Sequence, residues 1–438
     1  MPGEQLCPEC CGPAAEGLSA TSESLLLRVR VGAVPAQRSP ERAAAQVITS
    51  APMPAAHNTV VARSAAPVQR KGAQDLVDVL LERLVEHELA SLREREHDGK
   101  SPPFEEVLQF YRSTRFLYAS KMSALRPRLN AVHETWKHLL PADRDLFRLL
   151  VTRRPTATGE MTIRNSVCAF EYSNRTWLVQ HLVSADRHEY AGTLSLLLGL
   201  MDWLARRGAE HCRLTYRPDN PGIARLLTSL VEALGTDGGR EVRRYFTASV
   251  AQVASEPDHI HVRVVTEPSD SALSRFIDVM PAVEVSSLHL EDPELTSLAA
   301  AYAAYGLHRS RVVLAAERFG ELRGLAIVNL GSQGMNFSFL ENAMEGPFVL
   351  PCEADPARVM AALLGKAAQI YAAAGRTQLV GMAPESSSSL LAEAGLLGDD
   401  TKQYAVGTLR LNRRTAPLVR AHLLGYYRTL LAATARPA

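Results

Sequence analysis

The stretch TYRPDNPGIARLLTSLVEALG, residues 215–235, opens on a polar Pro-Asp-Asn-Pro-Gly cluster and runs straight into an amphipathic helix. A second stretch, GMAPESSSSLLAEAGLLG at 381–398, has the same layout. Each follows a long helical run and a short apolar one. Gly208 and Gly375, placed to cap those long helices, precede Asn220 and Ser387 by the same interval. This spacing predicts an internal duplication, two copies of one αβ unit.

Working outward, the first copy begins with NSVCAFEYSN and RTWLVQHLVSA, two β-prone runs joined by a turn at Ser173-Asn174-Arg175. The long helix AGTLSLLLGLMDWLARRG follows, then the strand HCRLTY, the opening stretch, and a last hairpin that includes EVRRYFTASVAQV. The second copy repeats this order. RVVLAAERFGELRGLAIVNL reads as a hairpin turning at Phe319-Gly320-Glu321, and GMNFSFLENAM as a strand. DPARVMAALLGKAAQIYAAAG reads as the long helix, RTQLVGM as a strand, SSSSLLAEAGL as a helix and KQYAVGTLRL as the final strand.

The flanks differ in kind. Residues 1–72 are rich in Ala, Pro, Ser and Gly and carry no sustained period, which predicts a disordered leader. A helix is expected over 73–100, a first domain over 101–255, a second over 256–412 and a C-terminal helix over 413–438. Within 101–255, helices are expected from Phe104 and over LNAVHETWKHLL before the strands begin. The two flanking helices offer surfaces for packing or for a homodimer.

Composition bounds the function. The chain has 438 residues, 46% of them apolar and 22% charged, with 48 Lys plus Arg against 47 Asp plus Glu. A net charge of +1 supplies no basic field for phosphate backbones, and no GxGxxG or GxxxxGK[ST] loop occurs. No apolar run approaches the roughly 20 residues of a membrane span. The expectation is therefore a cytoplasmic protein with no nucleic-acid or membrane partner. Three of the six cysteines sit in CPECC, with no second ligand pair nearby, so no metal is expected; Cys168, Cys212 and Cys352 read as core residues.

The element order hairpin, strand, long helix, strand, helix, strand, written twice, resembles the Gcn5-related N-acetyltransferase superfamily in tandem, over roughly residues 105–412. The resemblance implies an α/β (α+β) fold of two acetyltransferase-like domains, each a mixed twisted sheet with flanking helices. In that family a central strand splays from its neighbour and acyl-CoA lies in the gap, its pyrophosphate on the N-terminus of the long helix. The general physics is that of orphan N–H donors meeting an anion.

In the first copy the resemblance assigns acyl-CoA binding to the loop Arg187, Tyr190, Ala191, Gly192 and Thr193, although Tyr190 stands where the family has a glycine. The plainer alternative is an ordinary loop with a cap at Gly192-Thr193. The second copy's VLPCEADPARV has no glycine, and Asp355-Pro356 reads as an N-cap with Pro at the first helical position. It is expected to be structural. The family's helix tyrosine, which protonates the leaving thiolate, is missing: Leu226-Leu227 and Leu390-Leu391 occupy those places. The remaining candidates near the splay are His181, which alternation puts on one strand face with Trp177, Val179 and Val183, Glu189 and Tyr216, of which His181 and Tyr216 are taken as catalytic. The bland readings are a satisfied core histidine and a half-buried edge tyrosine. If active, the protein would be an acyltransferase for a small-molecule or protein amine. The rival is a non-catalytic binding or regulatory protein that keeps the fold.

Overall fold

In the computed structural model the described residues are 101–185, 190–253, 259–267, 271–350, 353–397 and 402–434, with residues 79, 83, 86 and 87 of a helix before them. The expected leader over 1–72 lies outside the described residues.

Both hairpins form where the turn chemistry puts them. Strands β2 (Met161–Ser173) and β3 (Thr176–Ser184) turn at Asn174-Arg175, and β7 (Arg309–Arg318) and β8 (Glu321–Gly331) turn at Phe319-Gly320. In the second turn both residues have positive φ, +55° and +76°, the twist that suits a two-residue hairpin loop. Each copy then runs through its long helix, α4 (Tyr190–Arg207) or α8 (Pro356–Ala373), and Gly208 and Gly375 follow at φ +79° and +70°. Next come β4 (His211–Tyr216) with α5 (Pro221–Ala233), and β10 (Gln378–Pro384) with α9 (Ser388–Glu393).

Two expectations need correction. GMNFSFLENAM is not a strand throughout: β9 spans Ala343–Val349, and a 3₁₀ turn at Leu340–Asn342 precedes it. The buried Glu341 and Asn342 carboxyl and amide oxygens accept the Gly334 and Gly331 N–H groups at 2.8 Å, so side chains rather than a ladder satisfy that backbone. Nor does β5 (Gly238–Ser249), which contains EVRRYF, close a hairpin within the first copy. It pairs antiparallel with β10 and with β11 (Lys402–Arg410), both from the second.

That pairing makes one sheet of eleven strands, in the order β1-β2-β3-β4-β11-β5-β10-β9-β8-β7-β6, where β1 is Phe147–Pro155 and β6 His261–Val265. The last strand of each half lies beside the penultimate strand of the other: β11 pairs with β4, and β5 with β10. The two copies are thus joined by a reciprocal exchange of closing strands.

One face of the sheet carries α4, α5 and the C-terminal α10 (Thr415–Thr434) over the first half, and α8 with α9 over the second. The other face is a single continuous core beneath α1 (Phe104–Ser113), α2 (Ala119–Leu125), α3 (Leu129–Leu139) and the connecting helices α6 (Ala282–Ser287) and α7 (Thr296–Ala304). Where the strands cross over, α6 lies on the sheet and brings Glu284 against buried Arg213 of β4 and Arg243 of β5. Glu345 of β9 completes the group, accepting from Arg213 at 2.7 and 2.9 Å, from Arg243 at 2.9 Å and from the Tyr172 hydroxyl. Burial pushes the Glu345 carboxyl up, but Arg213 and Arg243 outweigh it and hold it well below the usual carboxylate range. Among the described residues no helix is long and apolar enough to cross a membrane.

Candidate functional site

The parallel pair β3–β4 is short. It runs from Thr176↔His211 to Val179↔Leu214 and stops, although β3 continues to Ser184 and β4 to Tyr216. The strands part at this point. The β2–β3 register slips between Ser166 and Cys168, and opposite the slip His181 adopts φ +55°. A bulge re-aims the side chains that follow it. Here it corrects the simple alternation: Trp177 and Val179 pack under α4, whereas His181 and Val183 lie on the opposite face, towards α1–α3.

On that face His181 sits in an aromatic cage. Its ring stacks on Phe337 at 4.7 Å and meets Tyr111 and Phe116 edge-on at 5.4 and 5.3 Å. The Phe337 N–H donates to Nε2 at 3.4 Å, which leaves the proton on Nδ1, 3.4 Å from the Cys168 sulfur. Both nitrogens are engaged. Burial, and secondarily Lys121, pulls the imidazole well below its ordinary value, so it is neutral at physiological pH. Cys168 and Cys212 are buried free thiols whose burial pushes them up, out of thiolate reach.

Tyr216 lies two residues beyond the last paired residue of β4, as His181 does on β3. It is not on an edge, because β11 covers the other side with Ala405 opposite it. The ring is buried, while the hydroxyl is 3.0 Å from Thr228 Oγ1 and accepts from Arg240 Nε at 3.2 Å. At this end of β11, Lys402 donates to the Tyr118 hydroxyl at 3.2 Å. Burial, with Lys402 adding to it, brings the neighbouring Lys121 down to about 7.

Of the expected phosphate loop, Arg187 lies outside the described residues, and Tyr190 and Ala191 form the first turn of α4 without described side chains. Gly192 is held against β2. A Cβ there would come 2.4 Å from Asn165 Nδ2. Asn165 is itself fixed, donating to Thr152 Oγ1 at 2.8 Å and accepting from Thr193 Oγ1 at 3.1 Å. Close approach of helix to strand therefore requires this glycine, whatever lies beyond the helix end.

The second copy repeats the divergence. β9 and β10 pair only from Ala343↔Val380 to Glu345↔Met382, and the β8–β9 register slips where Gly346 takes φ +101°. Its helix start differs. Asp355 accepts from the Arg358 N–H at 3.4 Å, and Glu353 accepts from the Asp355 N–H at 2.7 Å. Glu353 is in turn held by Arg318 at 3.2 Å and Arg323 at 3.5 Å. The protein's own carboxylates fill the place an anion would take. In both copies the residue expected to be a phenol is core: Leu227 and Leu391 are buried.

No protein-family model matches the sequence, and no curated protein matches it either. Solved structures do overlap it. A tandem GNAT protein from the clavulanic acid biosynthesis pathway is 13% identical at a TM-score of 0.34, covering 63% of this chain and 87% of its own. A GCN5-related N-acetyltransferase from Sphaerobacter thermophilus is 15% identical at 0.35, covering 65% and 85%. A Drosophila protein is 17% identical at 0.35, covering 76% and 97%. Likeness of this size carries no argument about activity; the tandem reading stands on the chain's own topology.

Proposed function

We propose that the protein is an acyl-CoA-dependent N-acyltransferase-like protein in which the first copy takes the acyl-CoA and the second is structural. The observation that carries this is that both copies have a parallel pair that parts, and that among the described residues carboxylates close the start of the long helix in the second copy. In the first, the parted ends of β3 and β4 lie beside the start of α4, with Gly192 setting the helix close to the sheet. Arg187, just before that helix, supplies a fork for the diphosphate. Glu189 beside it opposes that charge unless it points away.

N-acyl transfer forms a C–N bond and breaks the thioester C–S bond, so the amine must lose a proton and the leaving thiolate must gain one. Tyr216 is the residue we assign to the second task. Its hydroxyl sits at the parted end of β4, where it accepts from Arg240 Nε at 3.2 Å. His181 has both ring nitrogens engaged, so its role in this conformation is to shape the bulge that parts the strands. The acceptor is an amine, either a small molecule or a protein.

Incubation with acetyl-CoA and a panel of amines, read by thiol release, tests this. Release that depends on the amine and falls at least tenfold in Tyr216→Phe supports an enzyme. Acyl-CoA binding, seen as a thermal shift, without any release supports the second reading, a binding module. The missing helix phenols at Leu227 and Leu391 favour that second reading.

A further inference from the structure

At the end of β4 opposite the parting, three side chains come together that neither the acyl-transfer reading nor the duplication uses. Glu210 precedes β4 and His211 opens it, and His289 follows α6 on the connection between the copies. One potential ligand atom from each lies within 4.8 Å of the other two. The two rings meet edge-on at 5.6 Å, and Glu210 Oε2 is 3.9 Å from His289 Nε2.

The hydrogen-bond partners suit one tautomer of each ring. Ser286 Oγ is 2.9 Å from both the Val283 carbonyl and His211 Nε2; with its one proton on the carbonyl it accepts from His211 Nε2–H. That leaves the lone pair on His211 Nδ1. His289 Nδ1 faces the Glu291 carboxylate at 2.9 Å, and a carboxylate accepts, so the lone pair there is on Nε2. Both lone-pair atoms, His211 Nδ1 and His289 Nε2, are buried and have no partner. His211 is 4% exposed. Two buried acceptors with nothing to accept are costly unless a ligand completes them. A second ring nitrogen bound to an oxygen acceptor is the usual support of a metal-binding histidine.

We propose that Glu210, His211 and His289 bind a divalent transition ion, zinc being the natural occupant of two imidazoles and a carboxylate, at the joint between β4 and the inter-copy connection. Zinc–nitrogen and zinc–oxygen lengths near 2.0–2.2 Å place tetrahedral ligands roughly 3.3 Å apart. Closure from the observed spacing therefore takes side-chain movements of roughly 1 Å. Three protein ligands leave a fourth position for water, reached from the side of Glu210, whose side chain is 44% exposed. Arg175, 2.7 Å from Glu210 Oε1, holds the carboxylate without occupying Oε2. No sulfur takes part, so the site should accept Co²⁺ and Ni²⁺ as well as Zn²⁺.

The test uses the full chain, free of any histidine tag, stripped with a chelator and titrated with zinc chloride by calorimetry, with Co²⁺ absorption as a second readout. One zinc per chain is expected, together with a cobalt d–d spectrum of low coordination number. Glu210→Gln and His289→Ala should each weaken zinc at least tenfold while circular dichroism stays unchanged, and His308→Ala should bind as wild type. The proposal is overturned if the wild type takes up no stoichiometric zinc, or if Glu210→Gln and His289→Ala bind it as tightly as the wild type.

Discussion

The two long helices start in different company. Ahead of α8, Asp355 accepts from the Arg358 N–H and Glu353 from the Asp355 N–H, and Glu353 is itself clamped by Arg318 and Arg323. Ahead of α4 the sequence supplies Arg187 and, within the first turn, a glycine pressed on Asn165. The sheet beneath is the same in both, down to a positive-φ bulge at His181 and at Gly346. Duplication kept the scaffold, and the difference lies in a few residues where a backbone end meets charge. What can bind is decided there.

The largest effect should come where the copies are joined. Glu345→Ala leaves Arg213 and Arg243 buried with Glu284 as the carboxylate they still share, a loss of about 3 kcal/mol by denaturant unfolding. Two separate transitions in the wild type would show that the copies unfold independently and that the exchanged strands do not couple them. The pH dependence has a definite sign. Glu345 is held below its unfolded value, so its contribution is complete above about pH 4.3 and is lost as pH falls further.

Gly192→Ala should cost about 1–3 kcal/mol, because Asn165 is fixed on both sides and cannot yield without breaking a hydrogen bond. It should weaken acyl-CoA binding as well. A neutral result would mean that α4 can shift outward from β2. Smaller again, Asp355→Ala should cost about 1 kcal/mol as a lost cap, with acyl-CoA affinity unchanged. A fall in affinity there would move the binding site to the second copy.

Much of the fold was legible because periodicity and turn residues carry it: Gly208, Gly375, Phe319-Gly320 and Asp355-Pro356 all act where their chemistry predicts. The strand exchange was not, because no residue of β5 or β11 marks which neighbour the strand pairs with. The stretch before Ala343 misled because Asn336, Glu341 and Asn342 bind backbone rather than solvent. His181 and Tyr216 were read as strand residues near a gap, and both do lie beyond the last paired rung. The bulge that turns His181 onto the other face has no mark in RTWLVQHLVSA. His289 meets the neighbours Glu210 and His211 only through tertiary packing, with no spacing to betray the group. The same holds for Arg213 and Arg243 against Glu284 and Glu345, each of which reads locally as an ordinary surface charge.

The central claim is that the first copy alone receives the acyl-CoA. Calorimetric titration of acetyl-CoA into wild type, Arg187→Glu and Arg358→Glu tests it most directly. The account predicts at least tenfold weaker binding in Arg187→Glu, a loss on the order of 1.4 kcal/mol, with Arg358→Glu nearly unchanged. Weakening confined to Arg358→Glu, or no binding to the wild type at millimolar ligand, would contradict it.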